Sequence, residues 1–182
     1  MILELPNYVD FETIDILKNN INDYKIGKTS IHSGYNREGV TFNISEINEL
    51  KHLDEIMYKL CVNITQNVIV PNYKPLHEHI GDSGYEYHCY GPKQICKPHV
   101  DGEFTVNSSL LRVASVVFHL NTVHDGGELV FPNQNKSIKT EKGKVVIFPP
   151  YSFYTHYTTP SEESREVIVT WFVYNGINIV KN

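Results

Sequence analysis

Beyond Pro71 the sequence stops repeating its apolar residues at helical spacing and begins to alternate them in short runs. That change commits the front of the chain to helices and the back to strands, so the helices must cover a sheet. In the front, Phe11, Ile14, Leu17 and Ile21 recur at helical spacing, with Asp10 placed to cap and Glu12 and Thr13 in the first turn. A longer stripe of Ile47, Leu50, Leu53, Ile56, Met57, Leu60 and Ile64 predicts a second helix over 45–68, capped by Asn43 or Ser45. Both stripes read as core packing. Thr29 to Phe42, polar and Gly-containing, reads as a loop or short strands. Behind Pro71, strand-like runs fall at 85–90, 110–120, 127–131, 144–148, 153–157 and 166–174, separated by Gly, Pro, Asn and Ser. Short strands at this spacing indicate a sandwich or barrel, and a jelly roll is the closed form that accommodates a metal in its mouth.

A chain of 182 residues fits one domain, with 1–70 as helical support and 71–182 as the stranded core. The net charge of −5 leaves no basic footprint for nucleic acid. Cys61, Cys89 and Cys96 are odd in number and form no CxxC, which argues against a disulfide framework and for a reducing compartment. Met1 to Pro6 has no basic region and too short an apolar run for a signal peptide, and no stretch approaches membrane-spanning length. The expectation is a soluble, cytoplasmic protein with neither nucleic acid nor membrane as partner.

Chemistry concentrates in the stranded half. In His99-Val100-Asp101 an imidazole and a carboxylate stand two positions apart, so on an extended segment both project to one face and can grip one ion. With His156 from a distant strand they make up the facial triad of non-haem iron(II). Arg165 follows nine positions later, and a buried, always-charged fork suits the far carboxylate of a 2-oxo acid bound to that iron. His77-Glu78-His79 has the same spacing but lacks the strand context of Lys97-Pro98-His99. Of the nine histidines, His32, His52, His77, His79, His88 and His124 read as surface or hydrogen-bonded residues. The 12 tyrosines are ordinary for sandwich cores and sheet faces.

Taken in order, Tyr90 to Asp101, Arg112 to Asn121, Gly126 to Pro132 and His156 to Trp171 resemble the prolyl-4-hydroxylase group of iron(II)/2-oxoglutarate dioxygenases, which includes the hypoxia-factor prolyl hydroxylases. The resemblance covers roughly Tyr85 to Tyr174, and the helical front is compatible with it. It implies a double-stranded β-helix, the jelly roll again, with N-terminal helices buttressing one sheet. It implies His99, Asp101 and His156 as iron ligands and Arg165 as the partner of the 2-oxoglutarate C5 carboxylate. It also implies Tyr90 in the oxo-acid pocket and Trp171 as an aromatic on the last strand. The implied cofactors are Fe(II), 2-oxoglutarate as co-substrate and O2, with ascorbate as a further candidate. Two positions depart from the pattern. His119 stands where a tyrosine usually helps bind the C5 carboxylate, a role an imidazole N–H can take. Cys96 stands where many members have tyrosine, either as an oxidation hazard or as a small buried hydrophobe, and the second reading is favoured. Arg112 matches a family arginine near the substrate cleft, or is a solvated sheet residue. Gly126-Gly127 is a hairpin turn that the resemblance sets beside the active site.

The implied activity is hydroxylation of a prolyl or related residue in a protein or peptide, with release of succinate and CO2. Hydroxylation of a free amino acid or other small molecule is the alternative. A nucleic-acid demethylase would carry a second arginine on the strand after Arg165, where Val167, Val169 and Trp171 stand. A non-oxygenase cupin has no need of Arg165. Gly81 to Gly84 and Glu103 to Ser109 read as short, polar loops that leave room for a peptide to lie across the iron.

Overall fold

In the computed structural model, residues 1–27, 39–69, 71, 80–102 and 111–174 are described. Helix α1 spans Phe11–Gly27, and Asp10 caps it as its sequence requires, accepting from the Thr13 amide at 2.8 Å. The second helical stripe is broken. Three-residue 3-10 turns at Ile44–Glu46 and Asn48–Leu50 precede α2, Lys51–Ile64, which a π turn over Thr65–Ile69 extends. Ile47 is the reason: its φ of −105° and ψ of 112° are extended, so no continuous helix can pass through it. Asn43 does cap, but it caps the first 3-10 turn, and α2 begins without a side-chain cap.

Among the described residues ten strands form: six overlap the predicted runs, one lies in the segment read as a loop or short strands, and three are additions. They are β1 (Leu3–Leu5), β2 (Val40–Asn43), β3 (Ile80–Asp82), β4 (Glu86–Tyr90), β5 (Leu111–His119), β6 (Leu129–Phe131), β7 (Lys136–Ile138), β8 (Val145–Phe148), β9 (Tyr157–Thr158) and β10 (Arg165–Tyr174). The large sheet runs β1-β8-β5-β10-β4-β2, and β3 pairs with the far end of β10. The small sheet runs β7-β6-β9, and every pairing is antiparallel. This is the expected mainly-β jelly roll with N-terminal helices.

Strand β1 and strand β7 were not legible: each is three residues long, too short for a period. The segment 153–157 is not one strand. Ser152–Tyr154 turns as a 3-10 helix behind Pro149-Pro150, and only β9 pairs. Gly81 and Asp82, expected in a loop, belong to β3.

The large sheet is covered on both faces, which is why β5, β8 and β10 read as nearly continuous apolar runs. One face, with Val116, Phe118, Ile168 and Phe172, packs on Ile14, Leu17, Leu53 and Met57 of the helices. The other, with Val117, Val146, Phe148, Val167, Val169 and Trp171, packs on Leu129, Phe131 and Ile138 of the small sheet. The predicted site residues His99, Asp101, His156 and Arg165 line a cavity with Val117 and Val167 of the large sheet and Leu129 of the small one.

A bulge breaks the alternation of β5. Phe172 pairs with Ala114, but Val173 pairs with Arg112, so Val113 is the extra residue. Val113 turns to the helix-side core, and Arg112 is carried to the inner face.

Candidate active site

His99 and His156 meet because two chain segments are stitched together. Cys96 pairs with Thr158 through Thr158 N–H to Cys96 O at 3.0 Å, and His99 and His156 exchange backbone hydrogen bonds of 3.0 and 2.9 Å. The segment before Asp101 thus runs antiparallel beside β9, putting the two imidazole centroids 4.3 Å apart. Asp101 Oδ1 lies 3.3 Å from His99 Nε2 and 3.7 Å from His156 Nε2. One ligand atom from each of the three lies within 4.8 Å of the others.

Donors at right angles around one ion, each roughly 2.1 Å from it, stand about 3 Å apart, so these three suit a common metal. The remaining ring nitrogens agree. His99 Nδ1 donates to the Lys97 carbonyl at 2.8 Å and His156 Nδ1 donates to the Tyr154 carbonyl at 3.1 Å, which turns both Nε2 atoms toward Asp101. Burial opposes a charge on His99, but hydrogen bonds to Asp101 and Cys96 and the charges there override it and push its pKa up to about 10. Burial also opposes ionisation of Asp101, yet the His99 hydrogen bond and the charge of His156 hold it well below the usual carboxylate range.

Arg165 opens β10 opposite Tyr90 and lines the same cavity as the triad. It is 4% exposed, its Nε donates to Thr140 Oγ1 at 3.1 Å, and its guanidinium sits 5.6 Å from the Tyr90 ring centroid. No carboxylate pairs with it among the described residues. Burial draws its pKa down from the ordinary value, but arginine starts far above neutrality and stays charged. A buried cation with hydrogen-bond donors to spare fits an anionic ligand.

His119 lies across Val167 from the cavity and is not among its walls. It is completely buried, and neither ring nitrogen has a hydrogen-bond partner among the described residues. Burial, then the charges of Arg165 and Lys144, keep its pKa well below the ordinary value, so the ring is neutral. Tyr90 and Cys96 do line the cavity, and the Cys96 thiol lies 3.5 Å from His99 Nδ1. Cys61, Cys89 and Cys96 are all free thiols.

Arg112 donates to the Asp101 carbonyl and stacks 3.8 Å from the Trp171 ring centroid, so it is not a solvated sheet residue. His88 escaped the sequence reading: it is 3% exposed and lines the cavity, and its place two residues from Tyr90 on a strand was the signal. Thr140, which holds Arg165, gave no signal. His77 and His79 lie outside the described residues, as does the Glu103 to Ser109 segment. No helix among the described residues is long and apolar enough to cross a membrane.

Residues 85–173 match the family model of the 2OG-Fe(II) oxygenase superfamily. The chain carries a 2OG-Fe(II) oxygenase domain. It is accordingly an enzyme of the dioxygenase class, and the oxygenase works with Fe(II), 2-oxoglutarate and O2. Solved structures share its fold. The viral collagen prolyl hydroxylase of Paramecium bursaria Chlorella virus-1, in its 2OG complex, superposes with a TM-score of 0.70 at 20% identity, over 95% of this chain and 96% of that one. A Pseudomonas putida prolyl-4-hydroxylase gives 0.67 at 18% identity, over 96% and 93%. A Trichoplax adhaerens prolyl hydroxylase in complex with a hypoxia inducible factor oxygen degradation domain peptide fragment gives 0.68 at 18% identity, over 96% and 83%. No curated protein matches the sequence.

Proposed function

We propose that this oxygenase hydroxylates a prolyl or related residue within a protein or peptide, releasing succinate and CO2. His99, Asp101 and His156 would hold the iron, leaving positions for the oxo acid and dioxygen. Arg165, with Tyr90 at its side and His119 behind, would hold the far carboxylate of 2-oxoglutarate. The observation that carries the co-substrate site is the buried Arg165 guanidinium, which opens onto the triad's cavity and has no carboxylate partner among the described residues.

When bound, the ion supplies the oxidising chemistry, coupling dioxygen and 2-oxoglutarate to attack on a C–H bond. The chain's residues do the rest. Two histidines presented as Nε2 donors and one ionised carboxylate would hold the metal. Arg165 would pair with the far carboxylate and so orient the oxo acid in the cavity. Val117, Val167 and Val169 form an apolar floor that keeps water out.

The peptide reading is supported by exposed aromatic side chains close to His156 in the chain. On the turn leading to His156, Tyr151 and Phe153 stand 37% and 65% exposed, and exposed aromatics of this kind pack on prolyl rings. The neighbours described above are all prolyl hydroxylases, one of them bound to a peptide.

The test is succinate formation from 2-oxoglutarate over a panel of proline-containing peptides, free proline and other free amino acids, with product mass measured. A peptide that stimulates turnover and gains one oxygen supports the reading. Oxidation of free amino acids alone, with the peptides inert, moves the assignment to the small-molecule hydroxylases.

A further inference from the structure

On the cavity face of β4, alternate residues form a line of which the metal and co-substrate assignments use only the last member, Tyr90. Glu86, His88 and Tyr90 project to the same side, while Tyr87 packs into the helix-side core. Glu86 Oε2 lies 3.1 Å from His88 Nε2, and His88 Nδ1 lies 3.5 Å from the Tyr90 hydroxyl. The Glu86 side chain is 34% exposed and that of His88 is 4%, so the line runs from solvent to the buried cavity. It ends at the residue whose ring faces the Arg165 guanidinium.

Each link has a direction. An ionised carboxylate only accepts, so His88 Nε2 carries a hydrogen toward Glu86. An anion beside Tyr90 requires the hydroxyl to donate to it, which leaves the Tyr90 oxygen to accept from His88 Nδ1–H. Both ring nitrogens then carry hydrogens, and His88 is an imidazolium with Glu86 as counter-ion. The Tyr90 contact is long, and hydrogen bonds of this kind commonly shorten only once the ligand is in place.

We propose that Glu86, His88 and Tyr90 act as a hydrogen-bond relay in which His88, taking one proton from solvent as the ligand enters, turns the Tyr90 hydroxyl toward the carboxylate of the co-substrate. His88 and Glu86 are positioning residues, since they act through Tyr90. The inference rests on the co-substrate pocket proposed above. The other charged or titratable groups around this cavity are Arg165 from β10, Cys96, and the triad of His99, Asp101 and His156. His119 is held apart from His88 by Val167, which pairs with both. Among the described residues of the cavity, Arg165 alone offers the ligand a fixed positive charge. The relay adds a second donor whose strength depends on a group outside the pocket.

The test measures 2-oxoglutarate binding to the Co(II)-loaded protein by calorimetry in two buffers of different ionisation enthalpy. Wild type is expected to take up about one proton. His88→Leu and Tyr90→Phe should each weaken binding roughly tenfold and abolish the uptake, and the double variant should be no weaker than either. Glu86→Gln, at the solvent end, should reduce the uptake with a smaller loss of affinity, and should have no effect in the Tyr90→Phe background. Co(II) binding reports folding; if His88→Leu fails it, the Glu86→Gln and Tyr90→Phe pair decides. Binding without proton uptake, or losses that multiply in the double variant, would overturn the relay. Absence of any 2-oxoglutarate binding in wild type would overturn the co-substrate pocket itself.

Discussion

Arg112 reaches the main-chain carbonyl of Asp101, and it can do so only because of the bulge at Val113 in β5. Were the alternation unbroken through Val113, the Arg112 side chain would face the helices. With the bulge, the guanidinium lies over Trp171 and anchors the backbone at the carboxylate proposed to bind metal. Groups that orient a metal ligand are commonly worth a factor of about 10–100 in metal affinity. Arg112→Ala is therefore expected to weaken Co(II) or Fe(II) binding by about tenfold or more in a direct titration. Arg112→Lys should rescue little, since an ammonium cannot both stack on the indole and donate along the plane of the fork. Unchanged metal affinity in Arg112→Ala would limit the residue to packing.

Arg165 should separate co-substrate binding from metal binding. Replacing it with Ala leaves the oxo acid's carboxylate buried against Thr140 and Tyr90 with no cation, at a cost on the order of 3 kcal/mol. That corresponds to a loss of about a hundredfold in 2-oxoglutarate affinity, while Co(II) binding persists. His119→Phe removes one N–H that has no partner among the described residues and should cost less, about fivefold. Equal affinity for 2-oxoglutarate in wild type and Arg165→Ala would end the co-substrate assignment.

What the sequence could carry was local, and the triad is the clearest case. His99 and Asp101 share a face by the two-residue period alone, and Gly126 and Gly127 sit at positive φ, 75° and 67°, although they join strands of different sheets and not the expected hairpin. The Asp10 cap was equally legible. Arg112 was not, because a bulge inverts the face of every residue before it and leaves no mark in the pattern. Nor was the break at Ile47, whose apolar side chain fits a helical stripe while its backbone is extended. Cys96 reads correctly as a small buried residue, yet its nearness to the His99 ring depends on the pairing with Thr158, which lies far along the chain.

The Gly126 turn should be intolerant of any side chain. A Cβ there would stand 2.0 Å from the Pro160 carbonyl oxygen, on backbone that L residues rarely adopt. Strain of this kind costs on the order of 1–3 kcal/mol. Gly126→Ala should lower the thermal midpoint by several degrees, since for a domain of this size 1 kcal/mol shifts it by about 2–4 °C. Because Pro160 follows β9, metal affinity should fall as well. An unaltered melting curve would show that the turn can relax.

Metal binding should be strongly pH-dependent, and the sign follows from His99. In the metal-free protein its pKa stands at about 10, so at neutral pH the Nε2 position carries a proton that a metal must displace. Asp101 is already ionised, its pKa being depressed, and adds no slope above the ordinary carboxylate range. Apparent affinity for Co(II) should therefore rise about tenfold per pH unit between about pH 7 and 9, with close to one proton released per ion. The metal-free fold responds in the opposite sense. A raised histidine pKa stabilises below its unfolded value and loses that contribution as pH climbs through about 10. The depressed Asp101 stabilises above its unfolded value and loses its contribution only on strong acidification. Raising the pH from 7 to 10 should thus weaken the metal-free protein toward urea while strengthening its hold on metal. Asp101→Asn removes the carboxylate that holds the His99 proton, so it should flatten the alkaline loss of stability. A Co(II) affinity independent of pH across that interval would mean that His99 is neutral before metal arrives.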